Sequence, residues 1–393
     1  MAREVFIVGS ARTPIGSFQG ALSSVDATEL GATAIRAALE RAGVSGDQVD
    51  ETYMGNVLTA GVGQAPARRA AKKAGVLDKT PATTVGKVCG SGLMSVVLGT
   101  KSILLEDADI VVAGGMESMT NAPYIMPKAR AGFRMGHGKV LDSMILDGLW
   151  DPYNDFHMGN AGEMCAKEHG FSREAQDEFA KTSYERAQAA QKEGKFDKEL
   201  TPVTFQTRKG EVTVSEDEEP GRARFDKMAK LRPAFDKEGT ITAANASKIN
   251  DGGAALLLAS GEAVKKHGLK PIARVAGYGG HAQAPEWFTT APVGAIEKTL
   301  ARLDLKPDDI DLWEVNEAFA VVSMACVSQA SVPHEKMNVW GGAIALGHPI
   351  GATGAIITVK ALYELARTGG RYGLVTMCIG GGQGIALALE RVQ

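Results

Sequence analysis

The chain has 393 residues, 44% of them hydrophobic, and a formal charge of −3; it is long enough to bury a sizeable core divided over two or three domains. The near-neutral balance argues against a general nucleic-acid binder and leaves room for a local basic site facing an anionic ligand. Four scattered cysteines (Cys89, Cys165, Cys326 and Cys378) make neither a disulfide framework nor a zinc pattern, which points to a reducing compartment.

The first apolar stretch, 4–8, reads as a buried strand, with no signal-peptide or transit pattern ahead of it. Residues 27–41 read as an amphipathic helix with Leu30, Ala34, Ala38 and Leu39 on one face. A strand at 49–54 runs into a glycine-bearing loop at 55–63, and Pro66 suits the first turn of a helix at 67–74. A strand at 83–88 leads into Cys89, a helix follows to about Leu105, and a strand at 109–113 ends in Gly114-Gly115-Met116-Glu117-Ser118. Strands alternating with helices indicate an α/β layered sheet. The run 95–110 is broken by Lys101, Glu106, Asp107 and Asp109, so it is no membrane span.

The character changes near Asn121. From there to about Thr240 the chain is richer in charge, Met and Pro, and reads as an inserted or lid domain. Ser172 is a candidate N-cap for a long helix over 173–192. An acidic patch at 216–219 precedes a basic stretch with Arg222, Arg224, Lys227, Lys230 and Arg232. Sheet-like patterning returns from Asn245: a small-residue run at 252–259, strands at 272–277, 311–315 and 372–377, and helices at 296–303, 318–330 and 351–366. The last three residues carry no targeting tripeptide, and cytoplasm follows from the absence of signals.

Three glycine-framed turns carry the chemistry. In the first, Cys89 lies within Gly86-Lys87-Val88-Cys89-Gly90-Ser91-Gly92, ahead of a helix whose free N–H groups and positive dipole end would lower a thiol pKa. A small cysteine buried at a tight strand–helix corner fits the same residues. In the second, His348 stands between glycine-rich turns, in Gly347-His348-Pro349-Ile350-Gly351. In the third, Cys378 ends a strand and precedes Ile379-Gly380-Gly381-Gly382, whose amides can form an anion-binding nest. Asn316-Glu317-Ala318-Phe319 follows a strand, with Asn316 open to a plain N-cap role. Order and spacing suggest a repeat: Cys89, helix, strand and glycines in one half; His348, helix, strand and glycines in the other. Two thiols and a histidine so framed suggest acyl transfer through a thioester, with histidine taking the proton of the nucleophile. Neither a dinucleotide fingerprint nor a Walker A motif is present, and no metal-ligand spacing is recognisable.

In four motifs (Val88-Cys89-Gly90-Ser91-Gly92, Asn316-Glu317-Ala318-Phe319, Gly347-His348-Pro349-Ile350-Gly351 and Cys378-Ile379-Gly380-Gly381-Gly382) the chain resembles the thiolases over essentially its whole length, closest to their bacterial biosynthetic branch. Asn121-Ala122-Pro123-Tyr124, Arg134-Met135-Gly136-His137-Gly138 and His157-Met158-Gly159 add to the likeness. The resemblance implies two similar α/β halves in a five-layer αβαβα arrangement with an inserted loop domain. On this sequence the N-terminal half spans 1–120 and 245–269, the inserted CoA-binding domain 121–244 and the C-terminal half 270–393.

It further implies reversible Claisen condensation of two acetyl-CoA to acetoacetyl-CoA and CoA. Cys89 would carry the acyl group, His348 would activate it, and Cys378 would deprotonate the second acetyl-CoA. One oxyanion site would use His348 and a water on Asn316, the other the amides of Cys89 and Gly380. CoA would be substrate and product, with no permanently bound cofactor, no nucleic-acid partner and no membrane contact. Leu149, His157 and Met158 would lie beside the pantetheine, Ser247 at its amide, and Phe235, Ala318 and Phe319 along the tunnel, with Arg222 a source of charge for the phosphates. Two departures stand out: Pro220 takes the place of an adenine-packing arginine, and Phe288, beside Trp287, replaces a methionine of the acyl pocket, which should favour short acyl groups. The resemblance implies a homotetramer. A broader-chain degradative 3-ketoacyl-CoA thiolase and, in another class, a non-catalytic CoA-binding subunit are the alternatives.

Overall fold

The computed structural model describes residues 3–392; readings that touch Met1, Ala2 and Gln393 fall outside them. The first half contains strands β1 (Val5–Arg12), β2 (Gly16–Ser17), β3 (Glu51–Gly55), β4 (Ala82–Val85) and β5 (Ile110–Ser118), with helices α1 (Ala27–Ala42), α2 (Pro66–Lys73) and α3 (Ser91–Leu104). The chain then leaves the sheet for β6 (Tyr124–Ile125), β7 (Leu141–Asp142), β8 (Trp150–Asp151), β9 (Phe156–His157), α4 (Met158–Glu168), α5 (Arg173–Lys192), the hairpin β10 (Val203–Thr207) and β11 (Gly210–Val214), and α6 (Phe225–Met228). It returns through β12 (Asn250–Ser260) and α7 (Gly261–His267). The second half holds β13 (Ala273–Ala282), α8 (Ala291–Leu303), β14 (Leu312–Val315), α9 (Ala320–Gln329), α10 (Ala343–Leu346), α11 (Thr353–Thr368), β15 (Tyr372–Ile379) and β16 (Gln383–Arg391).

The strands run in the order β14-β15-β16-β13-β1-β12-β5-β3-β4. The halves meet at β1 and β13, which share only the register pairs Phe6↔Arg274 and Ile7↔Ala273. Helices α3 and α11 pack against each other between the two sets of strands, α1 covers the outer face of the first and α8 that of the second. The result is the αβαβα layering expected from the sequence. Because α11 is covered by strands and by α3, it is buried on nearly every side, and β12 is buried at every residue, so that β12 reads as a run of small and apolar residues.

Local chemistry sets the helix ends. Asp26 caps α1 by accepting from the Glu29 amide, Gly43 closes it at φ 66°, and Ser172 caps α5 by accepting from the Ala175 amide. Two sequence readings need correction. Asn316 is not an N-cap, since α9 starts at Ala320 behind Phe319. The acidic patch read at 216–219 is not a continuous surface feature: Asp217 and Glu219 are buried. The fully buried Arg12 of β1 donates from Nε to Glu199 Oε1 (2.6 Å) and from Nη1 and Nη2 to the two oxygens of Asp217 (2.7 and 2.8 Å). That ion triad fastens the inserted segment to the sheet, because breaking it would strand a buried charge. No helix among the described residues is long and apolar enough to cross a membrane.

Candidate active site

The N-termini of α3 and α11 meet at glycines. A Cβ on Gly354 would stand 2.3 Å from the Leu93 amide nitrogen, and one on Gly92 2.9 Å from that of Ala355. Only glycine permits this approach, and it brings the loops that precede both helices together.

The Cys89 loop is held in an unusual shape. Val88, a β-branched residue, adopts φ +45°, a conformation that persists only where the surroundings enforce it. Lys87 Nζ donates to Gln383 Oε1 at 2.7 Å. Ser91 Oγ accepts from the Lys87 amide (2.8 Å) and donates to the Val88 carbonyl (2.7 Å). The Gly380 and Cys89 amides act on the thiol in the direction of a lower pKa. Against the lowering expected from the helix, burial, with the charge of Glu117, pushes the thiol of the half-buried Cys89 up to about 11. Cys378, near the end of β15, is fully buried, and its pKa is driven well above the usual thiol range by burial and by Cys89.

His348 is buried and fixed at three points. Its amide donates to Asn250 Oδ1 (2.9 Å), its Nδ1 is 2.7 Å from Thr353 Oγ1, and its Nε2 is 3.5 Å from Asn316 Nδ2. Thr353 Oγ1 donates its single proton to the Pro349 carbonyl (2.9 Å). It is then placed to accept from the ring, which puts the proton on Nδ1 and leaves Nε2 an acceptor facing Asn316 Nδ2. Burial pushes the imidazole pKa down to about 4, so the ring is a neutral base at pH 7. Asn316 Oδ1 is buried without a partner among the described residues.

Beside these groups opens a cleft of about 560 Å³, lined among others by Arg222, Phe235, Ala246, Ser247 and Lys248. The His157 ring stacks on Phe235 (4.7 Å between centroids), and its Nδ1 accepts from the Gly159 amide at 3.1 Å. Ser247 donates its amide to the Ala318 carbonyl (2.9 Å), which ties the cleft wall to the segment after Asn316. Met158, Phe288, Ala318, Phe319 and Cys378 form one apolar cluster; the Phe288 and Phe319 rings are 6.4 Å apart. Leu149 lies elsewhere, ending the helical turn Ile145–Leu149 and packing with Leu58, Ile350 and Cys89. Arg222 sits at the rim, mostly exposed and 3.6 Å from Glu218, while Arg224 pairs with Asp226 outside the cleft and Pro220 is buried.

Thr353, Asn250, Glu117 and Lys248 have no motif that singles them out. Lys248 is the most informative of these. Burial lowers its pKa to about 8, its Nζ donates to the Ala246 carbonyl (2.8 Å), and it lies 5.6 Å from the Tyr184 ring centre. Its position next to Ser247 was the one available signal. Among the described residues no group of three or more His, Cys, Asp or Glu side chains is arranged to hold a metal ion.

The profile of the thiolase N-terminal domain matches residues 5–262 and that of the thiolase C-terminal domain residues 269–391. The chain is 52% identical over 390 residues to the acetyl-CoA acetyltransferase of Cupriavidus necator, covering 99% of each. It is 49% identical over 391 residues to the acetyl-CoA acetyltransferase of Pseudomonas aeruginosa, covering 99% of this chain and 100% of the relative. The same comparison with acetyl-CoA acetyltransferase 1 of Arabidopsis thaliana gives 50% over 391 residues, covering 99% and 94%. Matched from end to end by both domain profiles and by relatives at about half identity, the chain belongs to the thiolase family.

Proposed function

We propose that this chain is an acetyl-CoA C-acetyltransferase that condenses two acetyl-CoA to acetoacetyl-CoA and CoA, and runs the reverse thiolysis. The observation that carries the reading is the close meeting of α3 and α11 at Gly92 and Gly354, which brings the Cys89 loop towards the loop of a buried His348 held by Asn250 and Thr353. His348 takes the Cys89 proton as the sulfur attacks the first thioester, and the departing CoA thiolate leaves with the proton of Cys378, which becomes a thiolate. The acetyl group is then carried on Cys89. Cys378 removes a methyl proton from the second acetyl-CoA, and the resulting carbanion attacks the acetyl-cysteine, releasing the Cys89 thiolate for reprotonation. The Cys89 and Gly380 amides serve the oxyanion at the acyl carbon; His348 with a water on Asn316 serves the enolate oxygen.

Coenzyme A is substrate and product here, and no resident cofactor is invoked. His157, Met158, Phe235, Ser247, Ala318 and Phe319 are assigned to its pantetheine arm, Arg222 and Lys248 to the charged end of the cleft, and Leu149 to the wall beside Cys89. The division into 1–120 with 245–269, 121–244 and 270–393 belongs to the same proposal, as does a cytoplasmic site of action. A homotetramer is supported by the apolar side chains of Tyr124, Met126, Phe133, Met135, Val140 and Leu146, which are exposed on one inserted segment; sedimentation velocity tests it. The decisive experiment assays acetyl-CoA condensation and thiolysis of 3-ketoacyl-CoA across chain lengths. Activity confined to short chains supports the proposal, thiolysis of long chains as efficient as that of acetoacetyl-CoA refutes the preference, and full activity after Cys89→Ala refutes the mechanism.

A further inference from the structure

The two halves place their reactive ends in equivalent registers. Gly55 of β3 pairs with Gly115 of β5, as Val315 of β14 pairs with Thr376 of β15. One residue beyond the first strand of each pair stand Asn56 and Asn316. Two residues further along the second stand Glu117 and Cys378, each opposite a glycine, Gly252 of β12 and Gly384 of β16. The asparagine and cysteine of the second half are assigned to chemistry above. Their twins, Asn56 and Glu117, have no such assignment.

Glu117 is fully buried, and its carboxylate accepts four hydrogen bonds. Asn56 Nδ2 (2.5 Å) and the Leu58 amide (3.2 Å) donate to Oε1; the amides of Val57 (2.9 Å) and Gly351 (2.9 Å) donate to Oε2. Every partner donates an N–H to it, the arrangement that suits an ionised carboxylate. Burial pushes the group up to about 7, and among the described residues no cation is a hydrogen-bond partner; a buried carboxylate held at that cost points to a role. The donors come from both halves. Leu58 packs with Cys89, Leu149 and Ile350, whereas Gly351 follows His348 by three residues. The approach is close enough that a Cβ on Gly115 or Gly55 would fall 2.1 or 2.5 Å from the Gly351 carbonyl oxygen.

We infer that Glu117, with Asn56, is a positioning residue whose carboxylate clamps the His348 loop of the second half onto the wall beside Cys89 and sets the reach of Nε2 to the thiol. The inference rests on the acyl-transfer reading above. Misplacement of a base by about 1 Å costs on the order of 100-fold in rate. Glu117→Gln puts an NH2 group against two N–H donors, and Asn56→Ala removes one donor while leaving the carboxylate in place.

The test compares both variants with the parent in two measurements: single-turnover acetylation of Cys89 by acetyl-CoA, and backbone hydrogen exchange of peptides carrying Val57, Leu58 and Gly351. The expected result for Glu117→Gln is faster exchange in both segments, acetylation slowed about 100-fold, and a KM for acetyl-CoA within about twofold of the parent. Asn56→Ala is expected to move both measurements the same way by less. Unchanged exchange, acetylation within about twofold in a folded variant, or a defect confined to KM overturns the inference. Where Glu117→Gln does not fold, Asn56→Ala decides by the same criteria. A parent protein that is never acetylated on Cys89 sinks the functional reading alone, because the exchange measurement still judges the clamp.

Discussion

Replacing Thr353 by valine tests the assignment of the His348 proton. The two side chains are nearly isosteric, and Thr353 is buried in the first turn of α11, so the change removes a hydroxyl and little else. In the parent that hydroxyl accepts from Nδ1 at 2.7 Å and donates to the Pro349 carbonyl at 2.9 Å. Without it, an Nδ1–H tautomer carries an unpaired buried donor, at a cost of about 1–3 kcal/mol. The ring escapes this cost by moving its proton to Nε2, where it can no longer accept from Cys89. The competent tautomer is thereby depleted about 5- to 150-fold, and kcat should fall by that factor. KM for acetyl-CoA should stay constant, because Thr353 does not line the cleft. Steady-state condensation kinetics measure the split, and 15N chemical shifts of the histidine ring report the tautomer directly. Thr353→Ser restores both hydrogen-bonding roles and should recover most of the rate. A Thr353→Val enzyme with kcat within about twofold of the parent, or with its defect in KM, refutes the tautomer argument.

Other outcomes follow from the same geometry. The pKa of His348 is about 4 in the folded chain against an ordinary 6.5, so the unfolded chain binds the proton first. Folding stability should therefore fall as pH drops from 6.5 towards 4, by about 3 kcal/mol in all, and His348→Asn should remove this portion; urea midpoints of both proteins at pH 7.5 and 4.5 measure it, and equal shifts in the two would contradict it. Arg12→Ala leaves Glu199 and Asp217 buried without their cation, and should cost about 3–5 kcal/mol in urea unfolding; a midpoint unchanged by the substitution would show that the triad does not hold the inserted segment. Phe288→Ala opens space beside Cys378 and should raise thiolysis of 3-ketohexanoyl-CoA relative to acetoacetyl-CoA by about 10- to 200-fold; an unchanged ratio would move the chain-length filter to another part of the cleft.

What the sequence discloses and what it conceals divide along the range of the interactions. Helix α5 is legible to the residue because its cap is a side chain three positions from the amide it serves. Strand β1 runs to Arg12 and not to Val8, because its pairing with β12 continues past an irregularity between Ile7 and Gly9. No local pattern contains that pairing. Strand β16 escapes a reading by periodicity altogether. Its Ala, Leu, Glu and Arg favour a helix, and it is pairing with β13 and β15 that makes it a strand.

The same division runs through the site. Cys89, His348 and Cys378 are visible because each sits in a turn whose glycines announce it, and Asn316 because it follows directly on a strand. Glu117 meets the Gly351 amide across more than two hundred residues of chain, and nothing near it in sequence marks that contact. The thiol of Cys89 makes the consequence concrete. From the sequence, the adjacent helix promises a lowered pKa; in the fold, burial prevails and the thiol is held near 11. A thiolate formed by the helix alone would need no base. A protonated thiol at neutral pH does need one, and a neutral imidazole accepting at Nε2 can remove that proton only as the sulfur begins to bond to carbon. On the proposed function, the burden of activating Cys89 moves from the helix dipole to His348, and with it to Thr353, which faces Nδ1.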